Sequence, residues 1–154
     1  MNKTLIDKLR DYCRYQPRSH QDVRNKLYNT FNLHKKEVEA LLADVIEEGL
    51  VCEENFAKSF AHDRHKLNGW GSKKIEAKLK ERQLSGYCIK HALLEIDSED
   101  YTKQLLRLAT KKWDKLKGNG LHHSVRKQKV MNYLLRKGYL PDEASGAIKQ
   151  LNCK

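Results

Sequence analysis

Proline is nearly absent from this chain, with two residues in 154, and glycine numbers only eight. So few turn formers cannot punctuate a β-sandwich or barrel, and the balance favours helices. Long apolar runs are missing too. The longest, Ala40 to Ala43, falls far short of the ~20 residues a spanning helix needs. No stretch near Met1 resembles a signal peptide, because MNKTLIDKLRDY already reads as an amphipathic helix. The four cysteines (Cys13, Cys52, Cys88 and Cys153) show neither CxxC pairing nor zinc-finger spacing. These absences together predict a cytoplasmic protein with reduced thiols and no membrane partner.

Catalytic patterns are equally scarce. There is no HExxH, no GxSxG and no Cys/His cluster, and Glu47-Glu48 and Glu53-Glu54 only flank expected helix ends. His62 and His65, His122 and His123, and the isolated His20, His34 and His91 read as surface or packing residues. The sequence therefore predicts no catalytic, metal or cofactor residues, and a protein that is not an enzyme.

What is present is positive charge, unevenly placed. The formal net charge is +11. Lys and Arg stand against Asp and Glu as nine to eight over residues 1–52, nine to nine over 53–100, and thirteen to three over 101–154. Solubility alone does not require that asymmetry, so an acidic partner is expected: nucleic acid, a nucleoprotein assembly or an acidic protein face.

The apolar residues repeat. Ile75, Leu79, Leu84, Ile89 and Leu93 are separated by four, five, five and four positions, and so are Val130, Leu134, Tyr139, Ala144 and Ile148. Val23, Leu27, Leu33, Val38 and Leu42 differ by one extra residue in the second gap. Steps of four stay on one helix face, and a step of five fits a short turn, so each set predicts a helical hairpin. A third amphipathic helix precedes each hairpin. Its stripe is Leu5, Leu9, Tyr12 and Cys13 in the first unit, and Phe56, Phe60, Arg64 and Leu67 beside Ala57 and Ala61 in the second. In the third it is Tyr101, Leu105, Leu108, Trp113 and Leu116. The reading is all-α: three tandem three-helix repeats at 1–52, 53–97 and 98–154, which are too small to be comfortable alone.

Helix ends have their own signals. Ser19 and Ser72 stand where an N-cap hydroxyl is expected, and Pro141-Asp142-Glu143 suits a first turn. Gly49, Gly86 and Gly138 read as C-terminal stops. Gly69-Trp70-Gly71 and Gly118-Asn119-Gly120 look like one repeated hinge, since a phosphate loop would need a preceding strand with a third glycine, or GK[ST].

Candidate partner-binding residues follow from the charge. Lys73 and Lys74, with Lys78, Lys80 and Arg82, lie on the helix after Gly71, where Glu76 and Glu81 dilute them. Lys111, Lys112 and Lys115 lie on the long seventh helix with Lys103, Arg107 and Lys117. Arg126, Lys127 and Lys129 begin the eighth helix, and Arg136 and Lys137 end it. Such residues can track phosphates or pair with carboxylates. Trp70 reads either as an anchor or base-stacking platform, or as a ring folded back on its own helices.

The ordered segments RSHQDVRNKL from Arg18, EEGLVCEENFAKSFAHDR from Glu47, NGWGSKKIEAKL from Asn68 and KVMNYLLRKGYLPDEA from Lys129 resemble the RecX family, regulators of the bacterial recombinase RecA. The resemblance runs from about residue 5 to the end. It implies an elongated, curved array of repeats, monomeric and without cofactor. It also implies a modulator lodged in the groove of the RecA–DNA filament, lowering ATP hydrolysis, strand exchange and co-protease activity in recombination, DNA repair and the SOS response. The other reading is a stand-alone binder of single- or double-stranded DNA with weak sequence preference, acting through the basic C-terminal repeat. No helix carries the Asn, Gln or Arg cluster expected for base readout.

Overall fold

The computed structural model describes residues 4–151, so Cys153 and the expected helical residues before Thr4 lie outside them. Nine helices and no strand occur among the described residues. In order they are α1 (Leu5–Tyr15), α2 (His20–Asn29), α3 (Lys35–Glu47), α4 (Glu53–Asn68), α5 (Ser72–Glu81), α6 (Gly86–Leu94), α7 (Ser98–Lys115), α8 (His123–Lys137) and α9 (Pro141–Leu151). The repeating apolar set is what the fold buries. All fifteen named residues are buried except Leu33 and Leu93, which are half-buried.

The chain forms two compact units. The first holds the described residues up to Ser59 together with Leu79–Ala92; the second holds Phe60–Lys78 together with the described residues from Leu93 onward. The core of the first unit gathers Leu9, Val23, Leu27, Val38, Leu42 and Val45 from α1, α2 and α3. Each such side chain contributes roughly 1.5–3 kcal/mol by leaving water. Ser19 caps α2 as expected: its Oγ accepts from the Asp22 amide at 3.1 Å, and Asp22 Oδ2 accepts from the Ser19 amide at 3.0 Å. The two local bonds satisfy donors that a helix start otherwise leaves orphaned.

The second unit is built on α7, α8 and α9, with Leu105, Leu108, Trp113, Val130, Leu134 and Tyr139 in its core. Here local expectations fail for identifiable reasons. Ser72 is the first helical residue of α5 and not its cap; its amide donates to the Tyr101 hydroxyl at 3.1 Å. Burial pushes the Tyr101 phenol above its usual range, so it keeps its proton and donates to Glu143 Oε1 at 3.1 Å. That carboxylate also accepts from the Leu140 amide at 2.9 Å, one residue before α9 begins. On α4, Leu67 is 72% exposed, and His65 takes the inward place at 5%. The His65 ring stacks on Tyr101 with centroids 5.0 Å apart. Its Nδ1 lies 2.9 Å from the Trp70 carbonyl oxygen, which can only accept, so Nδ1 carries the proton.

The two Gly-x-Gly joints are not equivalent. Gly118 and Gly120 adopt φ of +80° and +68° in open space. Gly71 instead faces the C-terminus of α8, where Gly138 stops the helix at φ +101°. The Gly71 amide donates to the Lys137 carbonyl at 2.7 Å, and the Lys73 amide to the Gly138 carbonyl at 2.9 Å. Donors orphaned at the start of α5 thus meet acceptors orphaned at the end of α8. Gly86, in the first unit, is another departure, since it begins α6, and the left-handed stop after α5 is Gln83 at φ +64°.

A Cβ at Gly138 would sit 2.4 Å from Lys74 Cβ and 2.6 Å from its backbone nitrogen. Gly138→Ala is therefore expected to destabilise the protein by at least about 2 kcal/mol. Gly146→Ala, inside α9 with nothing within 4 Å of the added Cβ, is expected to stabilise by about 0.5–1 kcal/mol. Urea unfolding followed by far-UV circular dichroism would check both.

A candidate basic groove on α7 and α8

The last third of the sequence supplies cations on two helices, and helical spacing sorts them. Arg107, Lys111 and Lys115 recur every four residues on α7 and so share a face. Together with Lys112 and, from α8, Tyr133 and Lys137, they line a groove of about 310 Å³. Leu67, Asn68, Gly69 and Leu108 complete its wall. A second concavity, of about 630 Å³, shares Lys112 and adds Lys129, Asn132 and Arg136. Neither is lined by an acidic residue.

The contrast with the first unit is electrostatic. There Arg10 clasps Glu48 with nitrogens at 2.9 and 2.7 Å from its two oxygens. Arg24 holds Glu39, Arg82 holds Asp22, and His20 Nδ1 lies 2.6 Å from Glu53 Oε1. Hydrogen bonds from Arg10 and Arg24 push the Glu48 and Glu39 carboxyls below their ordinary range. In the second unit, Asp114 is paired with Lys117 at 3.2 Å. Lys111, Lys115, Lys129 and Arg136 make no ion pair among the described residues. Their charge faces outward and is neutralised only by solvent ions, which a polyanion would displace.

The structure thus distributes the sequence candidates unevenly. Lys111, Lys112, Lys115 and Lys137 meet in the first groove, and Lys112, Lys129 and Arg136 in the second. Lys137 also donates to the Asn68 carbonyl at 3.0 Å, which fixes it in the wall. Lys127 is half-buried outside both. Lys73 is exposed at the start of α5, while Lys74 places its Nζ 4.6 Å from the centre of the Trp70 ring. Trp70 is half-buried, with its ring edge-on to Phe60 at 6.2 Å, so one side folds back on the helices. Arg126 serves the scaffold instead. Its guanidinium lies 3.6 Å over the Trp113 ring and donates to the Trp113 carbonyl at 3.1 and 2.6 Å. It caps the end of α7 and holds α8 beside it.

Tyr133 is a groove residue that charge alone does not reveal. Its ring has Lys112 Nζ at 5.3 Å and Lys137 Nζ at 5.8 Å from its centre. A signal for it exists in the sequence, since Lys129, Tyr133 and Lys137 stand four residues apart on one helix.

Comparison with known proteins places the chain. The model of the second three-helix domain of RecX matches residues 53–93, and that of the third matches residues 99–148. The chain belongs to the RecX family. A "Regulatory protein RecX" of Lactobacillus gasseri is 26% identical over 93% of this chain and 58% of its own length. One from Clostridium perfringens is 31% identical over 68% of this chain and 49% of its own length. This RecX-family chain therefore spans about half the length of these relatives. A crystal structure of regulatory protein RecX superposes with a TM-score of 0.82 at 23% identity, covering 94% of this chain and 70% of that one. RecX from Lactobacillus salivarius gives 0.82 at 20% identity, covering 97% and 95%. At that identity the likeness is one of fold, and it agrees with the all-α, repeat-built reading of the sequence. Both matched domain models carry cations of the candidate set, but the groove residues of α7 and α8 all fall within the third.

Removing a structural cation should differ from removing an available one. Arg126→Ala is expected to lower stability by about 1–2 kcal/mol, through the lost carbonyl bonds and ring contact. Lys111→Ala and Lys129→Ala are expected to stay within about 0.5 kcal/mol of the parent. Urea midpoints for the three variants would check this.

Proposed function

We propose that this RecX-family chain is a non-enzymatic regulator that binds the RecA–DNA filament. By binding, it lowers RecA ATP hydrolysis, strand exchange and co-protease activity, and so modulates recombination, repair and the SOS response. One observation carries the reading: α7 and α8 present lysines and an arginine with no internal carboxylate partner, lining grooves free of acid. A nucleoprotein filament is a polyanion with a repeating surface, and a fixed array of cations meets it with little reorganisation. The repeat boundaries 1–52, 53–97 and 98–154, monomeric state and cytoplasmic location belong to the same proposal.

The same grooves favour a second reading, a stand-alone nucleic-acid binder. The deciding experiment adds the protein, below stoichiometry, to RecA filaments preformed on single-stranded DNA and follows ATP hydrolysis, with and without excess free DNA. Inhibition that survives the excess supports a filament regulator. Inhibition abolished by it means competition for the DNA lattice, and the second reading takes over. Lys111→Glu with Lys115→Glu is expected to raise the half-inhibitory concentration by about tenfold or more. Inhibition equal to the parent's, at unchanged helicity, would move the contact away from α7.

A further inference from the structure

The grooves differ in one respect that charge does not explain. The smaller one has an aromatic ring among its cations. Tyr133 is half-buried against the core of the second unit, and the ammonium groups of Lys112 and Lys137 lie 5.3 and 5.8 Å from the ring centre. Acidic side chains on a protein partner would have use for the lysines but none for the ring. A nucleotide has use for both, because its base offers a π-face and its phosphate the negative charge.

The length of the cationic row separates a strand from a free nucleotide. Arg107, Lys111 and Lys115 rise about 12 Å along α7 at roughly 1.5 Å per residue. That span exceeds a triphosphate and suits successive phosphates of an extended strand. The row also continues past Lys112 into the concavity of Lys129 and Arg136, which one nucleotide could not fill. Beyond Arg107 and Asn68 the wall offers no acid or amide side chain for reading a base edge, so a largely sequence-tolerant mode fits.

We propose that the groove of Lys111, Lys112, Lys115 and Lys137 takes a single nucleic-acid strand, with one base laid on Tyr133 and the adjoining phosphates among the lysines. On binding, the Lys112 ammonium turns from the ring toward phosphate while Lys137 stays bonded to the Asn68 carbonyl, and the base takes the face that Lys112 leaves. The inference rests on the filament reading for its setting, since it names the component of the filament that this groove meets. It is testable without RecA.

Fluorescence anisotropy would compare a labelled fifteen-nucleotide oligothymidylate with an abasic strand of the same phosphate count, across a salt series. The parent protein is expected to prefer the oligothymidylate at least about fivefold, the low end of one stacked base. Tyr133→Leu is expected to lose that preference, and Tyr133→Phe, which keeps the ring, to retain it. Lys111→Glu with Lys115→Glu is expected to weaken both strands and to flatten the salt dependence by more than one released ion. Equal affinity of the parent for the two strands would overturn the stacking role, and binding of neither at low salt would overturn the site. If the chain then still slows RecA, this inference fails while the filament reading stands. If it binds strands with the stated preference and leaves RecA untouched, the reverse holds.

Discussion

The second unit depends on one seam, the head-to-tail meeting of α5 and α8. A helix start leaves amides without partners and a helix end leaves carbonyls, so both ends need capping when they are buried. Here each caps the other, through the Gly71 amide on the Lys137 carbonyl and the Lys73 amide on the Gly138 carbonyl. The dipoles run favourably, with the positive end of α5 at the negative end of α8. The approach is possible only because neither glycine carries a Cβ; one on Gly71 would lie 2.5 Å from the Gly138 carbonyl carbon. With its amides so engaged, this Gly-x-Gly cannot cradle a phosphate. Its role is to let two backbones touch.

The seam also positions the groove. Lys137 gives its carbonyl to Gly71 and its ammonium to the Asn68 carbonyl, so one residue ties the end of α8 to both sides of the α4–α5 joint. Tyr101 adds a second tie, accepting from Ser72 and donating to Glu143 on α9. Arg126 fixes the other end of α8 against Trp113 of α7. Of the groove cations, Lys111, Lys115, Lys129 and Arg136 are among those the scaffold does not use. Division of labour among like charges is therefore legible from their partners, and not from residue type.

Much of this is readable from the sequence wherever the controlling partner is local. The four-five-five-four spacing locates the hairpins because burial follows helical period, and Ser19 declares its cap because Asp22 lies three residues on. Readings fail where the partner is distant. Ser72 looks like a cap until a hydroxyl 29 residues away takes its amide. Leu67 looks like core until Tyr101 provides a stacking partner that draws His65 inward in its place. Gly118-Asn119-Gly120 looks like Gly69-Trp70-Gly71 because the three letters cannot record what lies opposite them.

The two units handle charge in opposite ways, and that difference bears on function more than net charge does. In the first, arginines are held by carboxylates, bonded closely enough to lower the Glu48 and Glu39 pKa values. Such pairs are screened, exposed and worth little to stability, but they cancel the field of that unit. In the second, Lys and Arg number eighteen against nine acids, no acid lines either groove, and Asp114 is already taken by Lys117. A partner that meets the grooves of α7 and α8 need not break an internal pair to reach Lys111, Lys115, Lys129 and Arg136. Association is then governed by released counterions and falls steeply with salt, whereas a partner of the first unit would have to compete with carboxylates already in place.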